Sequence, residues 1–143
     1  MKLQQISVFI ENQSGRLYDV TSLLGKSGIN IRALSLADTS DFGILRLIVN
    51  NPEEAYKILK DNEFTVGRTE VVAVEIKDEP GGLAEILGAL SKNEINVEYM
   101  YAFVEPEGKR AIMIFRFDET EKAVEKLLEA GFTLIPGAKI YGI

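Results

Sequence analysis

Two turns in the sequence set a polar side chain and a glycine just ahead of a helical stripe. The first reads Ile10-Glu11-Asn12-Gln13-Ser14-Gly15-Arg16-Leu17, and the second Ile76-Lys77-Asp78-Glu79-Pro80-Gly81-Gly82-Leu83. Glycine at Gly15 and Gly81 lets the backbone turn tightly or approach another group closely. The free N–H groups of a helix start can receive a carboxylate, helped by the helix dipole. Asn12 and Asp78 each stand three residues before the glycine, where a polar side chain can orient an amino group. The same residue types also cap helices and satisfy turn donors, so residue type alone leaves both roles open.

A second polar position follows each stripe. Asn30 sits in Gly28-Ile29-Asn30-Ile31 and Asn96 in Glu94-Ile95-Asn96-Val97. Asparagine is a poor strand former, yet it recurs between apolar residues in both places. It either serves a ligand or bridges the helix–strand turn by hydrogen bonds.

These features recur because the chain is a duplication. At an offset of 66 residues, Ile6–Ile31 aligns with Val72–Val97, and Val8, Ile10, Gly15, Leu17, Leu24, Lys26, Ile29 and Asn30 meet identical residues. At an offset of 68, Phe64-Thr65 meets Phe132-Thr133. The change of offset puts the length difference in a central hairpin. Repeats of this kind define architecture before any local feature does.

Each copy carries the same sequence of periodicities. Ile6, Val8 and Ile10 alternate as in a strand, and Leu17, Val20 and Leu24 follow at helical spacing up to Gly28. Ile29–Ala37 and Phe42–Val49 read as a hairpin around Thr39-Ser40-Asp41. Asn51-Pro52-Glu53-Glu54 starts a second helix, with Ala55, Ile58 and Leu59 as its stripe, and Phe64–Val66 begins a last short strand. The second copy repeats this with strands near Thr69–Ile76, Ile95–Val104, Ala111–Phe117 and Thr133–Ile135, and helices near Gly82–Lys92 and Glu119–Ala130. Asp118 is the expected N-cap of the latter helix, and Pro106-Glu107-Gly108 supplies the longer hairpin turn.

The expected fold class is therefore α+β. It comprises two ferredoxin-like βαββαβ modules with antiparallel sheets and helices on one face. The expected domains are residues 1–68 and 69–143. Val66-Gly67-Arg68-Thr69 contains no linker composition, so the modules are expected to pack together. In the second copy, Val72, Val74 and Ile76 are expected to face the helices with Ile112 and Ile114. That leaves Val71, Ala73, Met113, Phe115 and Phe117 on the open face. The first copy is more polar there, with Gln5, Ser7 and Arg46 among Phe9, Ile44 and Ile48. An apolar outward patch marks an interface, and a homodimer is expected.

Strand, Asn/Asp-x-(Ser/Pro)-Gly-x-Leu, helix, then (Gly/Glu)-Ile-Asn-(Ile/Val) resembles the ACT domain, and the resemblance covers essentially the whole chain, twice. It implies the βαββαβ fold and an amino acid bound at an interface between two modules. The contacts come from the strand-to-helix turn and from the asparagine opening the second strand. Carried over by position, the implied ligand-binding residues are Asn12, Gly15 and Asn30 in the first copy and Asp78, Gly81 and Asn96 in the second. Ser14 departs from the proline the family favours. Asp78 replaces a neutral amide with a carboxylate, which suits an ammonium group and repels a carboxylate. The copies are thus expected to differ, the first favouring a zwitterionic ligand and the second assembly.

Composition bears on the alternatives. The chain has no histidine and no cysteine, which removes disulfides, the usual zinc ligands, thiol nucleophiles and imidazole acid–base chemistry. Carboxylates that could take Mg²⁺ or Ca²⁺ remain. No carboxylate pair, lysine or tyrosine stands in a recognisable catalytic constellation, so no enzyme, cofactor or metal site is expected. A net charge of −6 with scattered basic residues argues against nucleic acid. The strands Ile44–Val49 and Ala111–Phe117 also lack the Gly-aromatic signature of a similarly folded RNA-recognition module. Apolar runs are too short to span a bilayer, and the N-terminus lacks a signal peptide's apolar core, making a cytoplasmic location the expectation. Together with the resemblance, this implies a non-catalytic amino-acid-binding regulatory protein whose partner is a separate metabolic enzyme. The alternative is a structural or regulatory subunit that assembles with a biosynthetic enzyme and binds no ligand.

Overall fold

The computed structural model describes residues 2–11, 13–38, 41–104 and 110–141. Both expected hairpin turns fall wholly or largely outside them. In chain order the elements are β1 (Lys2–Glu11), α1 (Arg16–Lys26), β2 (Ile31–Asp38), β3 (Phe42–Val49), α2 (Pro52–Asp61) and β4 (Thr65–Lys77). Then follow α3 (Gly82–Lys92), β5 (Val97–Val104), β6 (Arg110–Phe117), α4 (Thr120–Glu129), β7 (Thr133–Ile135) and α5 (Gly137–Tyr141). The fold is α+β, the βαββαβ order twice over. Among the described residues no helix is long and apolar enough to cross a membrane.

The chain divides into two compact units. One holds Gln4–Thr69 with residues 140–141, and the other Glu70–Lys139 with residues 2–3. The two short strands expected on either side of residue 68 are a single strand, β4. Gly67 takes no left-handed φ, and the segment contains no proline, so nothing interrupts the extended backbone. Helix α5, which sequence periodicity does not foretell, buries Ile140 and offers the Tyr141 hydroxyl to the Gln4 N–H at 2.8 Å.

In the first unit the strand order is β2-β3-β1-β4. Ile6 pairs with Leu47 and Val8 with Leu45 across the antiparallel β1–β3 ladder. These residues form one core with Val20 and Leu24 of α1 and Ala55 and Leu59 of α2. Each large aliphatic side chain so buried contributes roughly 1.5–3 kcal/mol. Leu17, expected in the α1 stripe, is instead exposed. Asn51 caps α2 as expected, its side chain accepting the Glu54 N–H at 3.2 Å with Pro52 in the first turn.

In the second unit the order is β5-β6-β4-β7. Here the expected face of β6 is reversed. Val72 pairs with Phe115 and Val74 with Met113, so Met113, Phe115 and Phe117 share the helix face and join the core of Ile86, Leu90, Ala123 and Leu127. The Phe115 and Phe117 rings stack with centroids 5.3 Å apart. Ile112 and Ile114 take the opposite face with Val71 and Ala73, and all four are buried. Both faces of β6 are apolar, so alternation alone could not orient it. Arg116, on the face of Ile112 and Ile114, carries the missing signal. The expected outward phenyl patch therefore does not exist as an exposed surface, and the expected homodimer loses that support.

Candidate ligand-binding site

The second turn is built on two adjacent glycines. Gly81 stands before α3 at φ 87°, and the Gly82 N–H donates to the Glu79 carbonyl at 3.0 Å. A Cβ on Gly82 would lie 2.0 Å from the Lys77 carbonyl oxygen, so the helix can start this close to the strand only without a side chain. In the first turn Gly15 repeats the left-handed conformation at φ 89°, but Arg16 takes the place of Gly82. The corresponding Arg16 N–H to Gln13 carbonyl bond is longer, at 3.3 Å. Neither helix receives a side-chain cap. Asp78 is exposed and makes no side-chain hydrogen bond or ion pair among the described residues, so it does not fill the capping role open to it. Asn12 lies outside the described residues.

The two asparagines are exposed at the starts of β2 and β5. Their backbones are clamped by another residue in each unit. The Asn30 N–H donates to Asn50 Oδ1 at 3.0 Å, and the Asn50 N–H returns to the Asn30 carbonyl at 3.1 Å. Asp118 does the same for Asn96, at 3.0 and 3.2 Å. Asp118 is therefore not the N-cap of α4. Glu119 occupies that position with no side-chain bond, and the Asp118 carboxylate is committed to the Asn96 amide. Sequence reading missed Asn50 and Asp118 as partners, although they coincide at the 68-residue offset. The side-chain amides of Asn30 and Asn96 make no hydrogen bond among the described residues. The turn-bridging role is filled without them.

Within one unit the two parts of the motif are not brought together. Gly15 and Asn30 flank an 11-residue helix, which at about 1.5 Å per residue separates them by roughly 16 Å. One amino acid cannot touch both. Asn96 lines a shallow pocket with Leu87, Leu90 and Glu94. More enclosed pockets open where the sheet meets the first helical turn, one in each unit: Glu11 and Arg16 of the first turn line one and Lys77 and Gly82 of the second line the other, but Gly15, Asn30, Asp78, Gly81 and Asn96 line neither.

A βαββαβ module occurring twice, with a glycine turn before each first helix and an asparagine after it, defines a tandem ferredoxin-like fold. The chain belongs to the ACT family: residues 1–141 match the ACT domain pair. The crystal structure of protein BT0572 from Bacteroides thetaiotaomicron is similar to it with a TM-score of 0.94 and 43% identity, covering 100% of this chain and 98% of that one. The ligand-free regulatory subunit of aspartate kinase from Thermus thermophilus follows with a TM-score of 0.64 and 18% identity, over 90% and 92% of the chains. The corresponding subunit from Thermus flavus gives 0.62 and 17%, over 89% and 91%. These two share the fold. No curated protein matches the chain by sequence.

Proposed function

We propose that the chain is a non-catalytic regulatory protein that binds a free amino acid and acts on a separate enzyme. The supporting observation is that Asn30 and Asn96 keep exposed amides with no structural task, in both copies, while Asn50 and Asp118 carry the turn. Membership in the ACT family and the shared fold of two aspartate kinase regulatory subunits support the same reading. The ligand contacts are Asn12, Gly15 and Asn30 of the first module, and Asp78, Gly81 and Asn96 of the second. The modules divide near residue 68, the protein works in the cytoplasm, and two chains pair as a homodimer.

A thermal-shift screen of the twenty amino acids tests this. At a ligand concentration 100-fold above Kd, binding stabilises by about 2.7 kcal/mol. Asn30→Ala or Asn96→Ala should abolish the response without lowering the unliganded melting temperature. Silence toward every amino acid, with stoichiometric recovery of an enzyme in a pull-down, would favour the ligand-free subunit instead.

A further inference from the structure

In the first unit, α2 and the first residues of β4 bring an aromatic ring and two cations together. Tyr56 and Lys60 stand four residues apart on one face of α2, and Tyr56 is partly buried against the first core. Arg68 follows Val66 at the two-residue spacing that keeps both on one face of β4, and Val66 packs against the same core. The Arg68 guanidinium lies 4.2 Å from the centroid of the Tyr56 ring, and the Lys60 ammonium lies 5.7 Å from it. One ring thus holds two cations by the negative potential of its face.

Neither cation is neutralised. Lys60 and Arg68 are exposed and form no ion pair or hydrogen bond among the described residues, and the Tyr56 hydroxyl makes no hydrogen bond among them either. The dipole of α2 favours a cation in its last turn, which accounts for the sign of Lys60. It does not account for Arg68, a strand residue brought to the same ring by the fold. Two like charges gathered on one ring repel each other, and an anion facing both relieves that repulsion.

The second unit builds the same elements without such a cluster. At the 68-residue offset the three positions are Val124, Leu128 and Pro136. Val124 packs against the second core, Leu128 is 45% exposed, and none of the three carries a charge. The cluster is therefore not a requirement of the module. Tyr56, Lys60 and Arg68 also line none of the pockets described above. Small-molecule sites are concave, whereas these residues form an open surface, and tyrosine and arginine are enriched where proteins meet.

We propose that this surface docks an acidic segment of the enzyme on which the chain acts. Arg68 and Lys60 take carboxylates of the segment, Arg68 in the bidentate manner its guanidinium allows, and the Tyr56 ring keeps both cations in place. This rests on the reading that the chain regulates a separate enzyme, but it does not depend on where an amino acid binds. The net charge of −6 opposes non-specific capture of acidic chains, so a local cationic surface can be read against that background.

The test is a nitrogen-15 NMR titration of the full chain with a blocked peptide alternating Glu and Gly. The same peptide with Gln for Glu, inorganic phosphate and a short oligothymidylate serve as comparisons. The Glu peptide should shift the backbone signals of Tyr56, Lys60 and Arg68, the Gln peptide should not, and about 0.5 M salt should remove the response. Arg68→Gln and Lys60→Gln should each weaken binding at least about fivefold. Tyr56→Leu should weaken it too, and Tyr56→Phe should preserve it, because the ring and not the hydroxyl holds the cations. Lys26→Gln and Lys92→Gln remove cations from the last turns of α1 and α3 and should leave binding unchanged. Equal weakening by all four charge removals reduces the effect to overall charge and overturns the proposal. So does phosphate binding at these residues without the peptide, or oligothymidylate binding more tightly than the peptide. If the Glu peptide leaves the spectrum unchanged while an amino acid still raises the melting temperature, the docking surface is wrong and the sensing reading stands. If the peptide binds as described and no amino acid does, the surface stands and sensing falls.

Discussion

Asn50 accepts the backbone N–H of Asn30 through Oδ1 at 3.0 Å and returns its own N–H to the Asn30 carbonyl at 3.1 Å. The turn after α1 is thereby closed by a residue 20 positions away. The asparagine that attracts attention in the sequence is the one being held, and its partner supplies the holding side chain.

Stability should follow that division. Asn50→Ala removes the acceptor and should cost about 1 kcal/mol in urea denaturation. Asn30→Ala removes only an exposed amide and should change stability by less than about 0.5 kcal/mol. Asp118→Ala and Asn96→Ala should behave as the same contrasting pair. Equal losses from both members of a pair would return the asparagines to a structural role.

The two glycines of the second turn should differ in kind. At Gly82 a Cβ would meet the Lys77 carbonyl oxygen at 2.0 Å, so Gly82→Ala must push strand and helix apart, at a cost of roughly 2–3 kcal/mol. At Gly81 there is open space and only the left-handed φ of 87° opposes a side chain, so Gly81→Ala should cost about 1–2 kcal/mol. Melting temperatures of the two variants give the comparison.

Tyr141 should make stability fall at alkaline pH. Burial raises its pKa above the ordinary 10.0, with the hydrogen bond from the Gln4 N–H acting in the opposite direction. The folded chain then holds the phenolic proton more tightly than the unfolded chain. Its contribution is fully present below about pH 10 and is lost as pH rises through the folded-state value. Tyr141→Phe should remove this alkaline component and, by stranding the Gln4 N–H, lower neutral-pH stability by about 1 kcal/mol. Lys2 must be controlled for. Its pKa is raised by the hydrogen bond to Glu121 and by the nearby Glu70, so it titrates with the same sign. Denaturation of Tyr141→Phe and Lys2→Ala from neutral into alkaline pH separates the two.

The proposed homodimer should involve the edge strand β2. Its Leu34 and Leu36 lie on the helix-side face, paired with Leu47 and Leu45, yet are 52% and 49% exposed. Light scattering should give a mass of two chains. The double substitution Leu34→Glu, Leu36→Glu should return one chain with an unchanged melting curve at low concentration. An unaltered dimer would move the interface elsewhere.

The duplication, the α+β class, most element positions and the glycine turns were legible in the sequence, because each depends on local rules. Period-two and helical spacing declare strands and helices, a cap such as Asn51 declares a start, and glycine declares a left-handed turn. Identity at fixed offsets declares the repeat. The orientation of β6 was not legible in isolation, since an apolar residue stands at nearly every position. The register with β4 settles it by pairing Phe115 with Val72. Asp118 was misread for a related reason. A carboxylate ahead of a helix is locally a cap, but a backbone N–H from 22 residues earlier reaches it first.

The sequence by itself therefore determined what kind of module this is, that it occurs twice, and which turns carry glycine and asparagine. Tertiary structure alone decided which face each apolar strand buries and which side chains clamp the asparagines. It also set Arg68 of β4 beside Lys60 on the Tyr56 ring of α2. No local periodicity links the strand residue to the helix, because their meeting depends on where the chain returns from α2 to the sheet.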